Sequence, residues 1–558
     1  MSALGTSATG CTAADGGDES LNPQTQPGRI DVEPGDLPAH PQRYHYSFNL
    51  ATREAQSKLF FDVAPPGGNC LTLDAPSALT DVRWNANTPQ CVSPSAGTLR
   101  VCDRPLFAGQ VMLESRFTVP EQTYDFSPVG FSRTQDRSGN TFSYLLNWVE
   151  QCDRFGPCND EPGLLSRFVL EVTHAAGEVT LCPGKRTEVN ATTTRCELME
   201  TPAPTYSSFA IASNKKWKRS QWLDVDGTKL VFFEVPEGRL AASLSKSDMT
   251  DYVRWITSEL GPLPYGKELR IAGGPTRWLG VEHPANIILR EDLPELPARE
   301  YANMTRHTLM HEIVHQWAGN HITLANAYDF AWKEAIAEYL TYLYESQRWP
   351  ADAAQTRAYW DRLGRTALYY PRPLDTPPFL SYAMETYGSG SMTLFVQLED
   401  LLPGGQATLL RAIKAFLSGP PGIRGVEELK AELERASGQD LTDYFNAWVY
   451  GVGEADWPTF NVTTAQADGQ LRLDVTQTTF FSGKTYPVNV TLRVRGATRT
   501  VNVPVNFGLH PTQATTTVTL PFDEEVVSVS VDPENRVISW NRSTLLPLED
   551  EAPRGWIY

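Results

Sequence analysis

No run in this chain of 558 residues approaches 18 consecutive apolar residues, so no helix in it is suited to span a bilayer. There is no excess of positive charge. With 48 Lys+Arg against 66 Asp+Glu the formal net charge is −18, which argues against nucleic acid as a partner, because phosphate binding needs a basic face. C-x-x-C is absent, which removes a zinc ribbon. No cysteine follows Cys196, so a metal centre in the later part of the chain cannot be thiolate-bound. The 8 cysteines are Cys11, Cys70, Cys91, Cys102, Cys152, Cys158, Cys182 and Cys196. The spacings Cys91 to Cys102, Cys152 to Cys158 and Cys182 to Cys196 would close the short loops typical of disulfides in exported proteins. Setting Cys11 aside leaves an odd cysteine, which this pairing leaves free.

What is present is a soluble globular composition, 41% apolar and 20% charged, on a chain too long for one core. Residues 1–43 are rich in Gly, Pro, Asp, Ser and Thr and read as a disordered tether. From 44 to 240, short β-type runs such as YHYSFNL, LFFDVAP and RFVLEVT alternate with turn residues and predict a mostly-β N-terminal domain. Near Asp248 the period changes: Met249, Tyr252, Trp255, Ile256 and Leu260 have helical spacing, and 241–457 reads as mixed α/β. Beyond Phe460 the period returns to two, with Val488, Val490, Leu492 and Val494 in one run, Val501, Val503, Val505 and Phe507 in a second, and Val527, Val529 and Val531 in a third. That predicts a β-sandwich over 458–541, followed by a tail, 542–558. The expected class is multidomain α+β.

Chemistry concentrates between Met310 and Tyr339. His311-Glu312-Ile313-Val314-His315 is an H-E-x-x-H pattern, and on a helix residues four apart share a face. His311 and His315 can aim two imidazoles at one metal ion, with Glu312 beside them in reach of an attacking water. Two ligands are too few for a catalytic zinc. A second helical stretch carries Glu334, whose carboxylate completes a His-His-Glu set for one Zn2+ per chain.

Wider stretches resemble the aminopeptidase N-type family of gluzincin zinc metallopeptidases, which has leukotriene hydrolase relatives. Residues 311–320, HEIVHQWAGN, resemble H-E-x-x-H-x-W-F-G-N, and Glu334 to Tyr339 resembles E-G-F-A-x-Y, with Lys333 where the family has Asn. Pro157 to Pro162 resembles P-C-x-D-E-P, and TPAPTYSSFAIAS a strand region of the same family. Val281-Glu282-His283-Pro284 matches the end of G-x-M-E-N-P, with Leu279 for the first Gly and His283 for Asn. Tyr387-Gly388-Ser389-Gly390 resembles Y-x-K-G, with Ser389 for Lys.

The resemblance implies an N-terminal β domain, a thermolysin-like α/β catalytic domain and a C-terminal β-sandwich. It implies a zinc-dependent aminopeptidase acting on peptides with a free N-terminus. His311, His315 and Glu334 would hold zinc, Glu312 would be the general base, and Tyr387 the oxyanion donor, with Tyr382 the rival tyrosine. Glu282 would bind the substrate amine, with Glu150 as a second amine-binding acid. Longer members add a helical domain for which no sequence follows Tyr558. A zinc endopeptidase or other hydrolase on the same fold, and a peptide-binding scaffold with weak or no activity, are the alternatives. Ala8-Thr9-Gly10-Cys11 resembles the end of a bacterial lipoprotein signal, although no apolar stretch precedes it. An exported, extracellular, periplasmic or cell-surface location is expected, with a lipid anchor at Cys11 as one form of it.

Overall fold

The structure is a computed structural model that describes residues 36–63, 70–76, 79–95, 97–103, 109–122, 129–386 and 391–541. Tyr387, Ser389 and Cys11 lie outside these residues. The protein is a multidomain α+β chain: strands dominate at both ends and helices between them. It divides into two compact units, the first running to Pro294 with Gly319–Thr323 and Pro420–Ile423, the second holding the remainder.

The first unit is built on a seven-stranded sheet. Strands Arg43–Asn49, Glu54–Val63 and Gly109–Thr118 run antiparallel side by side, and Leu165–Thr173 joins Arg43–Asn49 in parallel. Glu54–Val63 alternates exposed and buried positions, as a period of two requires when one sheet face is covered. The covered face is aromatic. Tyr44 stacks on Phe168 at 4.9 Å between ring centroids, and Phe209 meets Tyr46 edge-on at 4.9 Å. Within the segment expected to be a tether, Asp36–Pro38 pairs with Cys70–Asp74.

The disulfides correct one expectation. Cys152–Cys158 and Cys182–Cys196 form, but Cys102 bonds to Cys70, not Cys91. Strand Thr98–Cys102 lies between two partners, so Cys102 faces Cys70 on one side and Cys91 on the other. Sequence distance cannot choose between those neighbours. Cys91 is itself disulfide-bonded, and no described cysteine is free.

A five-stranded mixed sheet completes this unit, in the order Lys218–Val225, Thr228–Glu234, Glu268–Gly274, Asn286–Arg290, Gly280–His283. Helix α1, Lys246–Leu260, is the crossover between the parallel strands Thr228–Glu234 and Glu268–Gly274. Ser245 caps it by accepting from the Asp248 N–H. Gly280–His283 is an edge strand of this sheet.

In the second unit, α2 (Met304–Val314) and α3 (Phe330–Arg348) pack together. Nearly every residue of α2 is buried, so it has no solvent face and is a core element. Asn303 caps its start, accepting from the Arg306 N–H. Helix α4, Pro350–Arg365, begins on proline, whose missing N–H costs nothing at that position. The C-terminal strands form two three-stranded sheets, each antiparallel. Val490, Leu492 and Val494 point inward as expected. Val527 does not: it is 61% exposed, because its strand starts only at Ser528.

Candidate metal centre

His311 and His315 lie one turn apart at the C-terminal end of α2, with their rings 4.6 Å apart and nearly perpendicular. Their Nε2 atoms are 2.9 Å apart, and Oε2 of Glu334, on α3, is 3.3 Å from each. All three side chains are buried. Of the other ring nitrogens, Nδ1 of His315 donates to the Ala318 carbonyl at 2.9 Å, and Nδ1 of His311 faces Oε1 of Glu338 at 3.3 Å. With both Nδ1 positions protonated, both Nε2 atoms present lone pairs. Two lone pairs and a carboxylate oxygen meeting at this distance repel one another unless a cation lies among them. Burial disfavours a charged His311, yet Glu338 and Glu334 outweigh it and hold that group well above its ordinary pKa, so this pocket favours a positive charge, which a proton carries in the metal-free chain and a metal ion would replace. A donor set of two nitrogens and one oxygen fits zinc and leaves a fourth position for substrate or water.

Two further carboxylate features matter. A carboxylate oxygen of Glu312 lies within 4.8 Å of a ring nitrogen of His315, beside the ligand set and not part of it. Lys333 reaches Oε1 of Glu334 at 2.6 Å, leaving Oε2 turned to the two imidazoles. Burial works against the Glu334 charge, but Lys333 and then His315 hold it well below the usual carboxylate range.

A ring of charged groups stands behind these residues, and the motif did not announce it. Glu338, one turn after Glu334, also meets Nε2 of His307 through Oε2 at 2.9 Å and accepts from the Tyr301 hydroxyl at 2.8 Å. Glu345 meets the other nitrogen of His307 at 3.0 Å. The available signal was spacing: His307, His311 and His315 repeat every four residues on one helix, and Glu334 and Glu338 do so on the other.

The remaining expectations divide. Glu282 sits on the edge strand Gly280–His283, opposite Ile287. His283, in the place of the family's Asn, is buried and donates from Nδ1 to the Ser207 carbonyl at 3.0 Å. Glu150 occupies a left-handed backbone position, φ 59°, ahead of the Cys152–Cys158 loop. Burial, then Glu161 and Asp74, push its pKa up to about 7, and its Oε2 has no hydrogen-bond partner. Glu282 and Glu150 both belong to the first unit, whereas the His-His-Glu set belongs to the second. Tyr387 falls outside the described residues. Its rival Tyr382 is occupied structurally, donating to the carbonyls of Tyr328 at 2.9 Å and Pro371 at 2.7 Å.

Comparison with known proteins gives three findings. Residues 281–448 match the Peptidase family M1 domain. The chain is 23% identical over 471 residues to a leucyl aminopeptidase of Saccharolobus solfataricus, covering 79% of this chain and 56% of that one. Its fold is similar to that of a Legionella pneumophila aminopeptidase A solved with aspartic acid, with a TM-score of 0.70 at 15% identity, over 90% of this chain and 59% of that one. The chain thus spans less than two thirds of the length of either protein.

Proposed function

We propose, from the match of residues 281–448 to the Peptidase family M1 domain, that the chain is a zinc-dependent aminopeptidase acting on peptides with a free N-terminus. The observation that carries this reading is the convergence of the Nε2 atoms of His311 and His315 and the Glu334 carboxylate, with the Ala318 carbonyl at Nδ1 of His315 and Glu338 facing Nδ1 of His311. Zinc bound there supplies Lewis acidity, polarising the scissile carbonyl and acidifying water. Glu312 takes the proton from the attacking water and delivers it to the leaving amine. Tyr387 donates its phenol to the developing oxyanion, a contact worth about 2.7–4 kcal/mol in comparable sites. Glu282 receives the substrate α-ammonium group through a charge-assisted hydrogen bond, which makes the enzyme an exopeptidase. Glu150 is the second acid for that amine; burial raises its pKa to about 7, and the positive charge of a bound ammonium would lower it, releasing the carboxyl proton to solvent. Disulfides in the first unit support export to an oxidising compartment.

The test uses an aminoacyl-amide substrate. Glu312→Gln is expected to lower hydrolysis by about 100- to 10,000-fold with zinc content unchanged; full activity in that variant would refute Glu312 as the base. Acetylating the substrate amine is expected to slow the wild-type enzyme sharply. An unimpaired rate would remove the role of Glu282 and turn the reading to an endopeptidase.

A further inference from the structure

His307 lies one turn before His311 on α2, and the proposed chemistry has no use for it as a ligand. It is 1% exposed, and each of its ring nitrogens meets a carboxylate: Nε2 to Glu338 at 2.9 Å and Nδ1 to Glu345 at 3.0 Å. A neutral imidazole carries a single N–H, so two such contacts require the imidazolium. Burial opposes that charge, but Glu345 and Glu338 outweigh it and raise the His307 pKa to about 9. Tyr301 stacks on the ring at 3.5 Å between centroids and only 12° from parallel, which holds its plane. Arg306 joins the outer carboxylate, Glu345, at 3.4 Å and continues to Asp352 at 2.6 Å.

We propose that His307 is a positioning residue of the metal centre, clamping Glu338 so that Glu338 holds His311 in its ligating tautomer and orientation and thereby sets how tightly zinc is retained. The inference rests on the zinc reading above. Its physical basis is the way Glu338 divides its oxygens. Oε2 is taken by His307, while Oε1 accepts from Tyr301 and faces Nδ1 of His311. A clamp serving only to join α2 to α3 has no need to turn its second oxygen to a ligand. Removing the imidazolium frees Glu338 to rotate and leaves a buried carboxylate short of its nearest cation. His311 then loses the fixed acceptor that keeps its proton on Nδ1 and its lone pair on Nε2. Partners of this kind commonly change metal affinity by about 10- to 100-fold.

The experiment measures zinc affinity of the full chain by competition with a chromophoric chelator, zinc release into excess chelator, and melting of apo and loaded protein. It compares wild type with His307→Leu and His307→Gln. His307→Leu is expected to weaken zinc by about 10- to 100-fold and to speed release. His307→Gln, whose amide can still donate to one carboxylate, is expected to lose about 3- to 10-fold. A purely structural role lowers apo and loaded melting alike and leaves the zinc affinity where it was. His307→Leu folded and binding zinc as wild type does would overturn the inference. Should that variant not fold, His307→Gln decides, and wild-type zinc affinity there overturns it too. A wild-type chain without zinc affinity sinks the metal reading and this inference together; the wild-type control therefore separates the two failures.

Discussion

Lys333 replaces the asparagine of the resembled motif, and its removal has a consequence that can be worked through. Its Nζ is 2.6 Å from Oε1 of Glu334 and both residues are buried, at 2% and 4% exposure. In the metal-free chain Lys333 is the cation nearest this carboxylate. Lys333→Met leaves Glu334 charged and poorly compensated there, and breaking such a buried pair costs about 3–5 kcal/mol. In the loaded chain the metal stands on the same carboxylate and replaces the lost attraction. It also no longer faces a buried ammonium, a repulsion of several kcal/mol for unit charges about 4 Å apart at an effective dielectric of about 20. The loaded form should therefore lose only about 1 kcal/mol. Closing the cycle, zinc binding strengthens by about 2–4 kcal/mol, roughly 30- to several-hundred-fold. Chelator competition gives the affinity, and denaturant titration of apo and loaded protein gives the two stabilities independently. Unchanged or weaker zinc binding in Lys333→Met, with apo stability intact, would refute the view that Lys333 competes with the metal for Glu334.

Two other outcomes concern the first unit. Burial first, and neighbouring Asp153 and Glu161 with it, raise Asp74 to about 7, so the folded state holds a proton that the unfolded chain releases near 4. Its contribution to stability is complete below about 4 and is lost progressively as pH rises to about 7. Hydrogen exchange in the Cys152–Asp160 loop should accordingly show protection falling across that window, and Asp74→Asn should flatten the dependence; the same slope in the variant assigns it elsewhere. Among the disulfides, Cys70–Cys102 closes a separation of 32 residues and Cys152–Cys158 one of 6. Replacing the first pair with serine should cost about 1 kcal/mol more than replacing the second. Equal denaturant midpoints for the two double variants would contradict loop closure as the source of their stabilisation.

The clustering of His311, His315 and Glu334 was readable because helical geometry makes their relation local. A spacing of four on one helix, with a carboxylate on the next, leaves few arrangements other than the one found. The alternating strands were readable for the same kind of reason, and Val527 shows the limit: a period of two does not mark where a strand begins. Of the expected cysteine pairings only Cys91–Cys102 failed, because it is a choice between neighbouring strands. Cys102 faces Cys70 and Cys91 equally well in register, and only the packing of the small sheet decides.

The charges around the ligands are a stricter case. His307, Glu338 and Glu345 have helical spacing, but so do many pairs on α2 and α3 that never meet; which of them face each other depends on how the two helices pack. Lys333 was visible as a departure from the motif, yet its effect follows from its choice of Oε1, which leaves Oε2 facing the imidazoles. The two groups act on zinc in opposite senses. His307 stiffens a ligand through Glu338, and Lys333 draws on the charge of another. On the zinc reading, retention reflects their balance, and Lys333→Met in a His307→Gln background should carry the affinity past the wild-type value, because a gain of about 30-fold or more exceeds a loss of about 3- to 10-fold. The two side chains act through different ligands, so their effects should add within about 0.5 kcal/mol. A clear departure from additivity in the same chelator titration would mean that α2 and α3 shift as one body when either charge is removed.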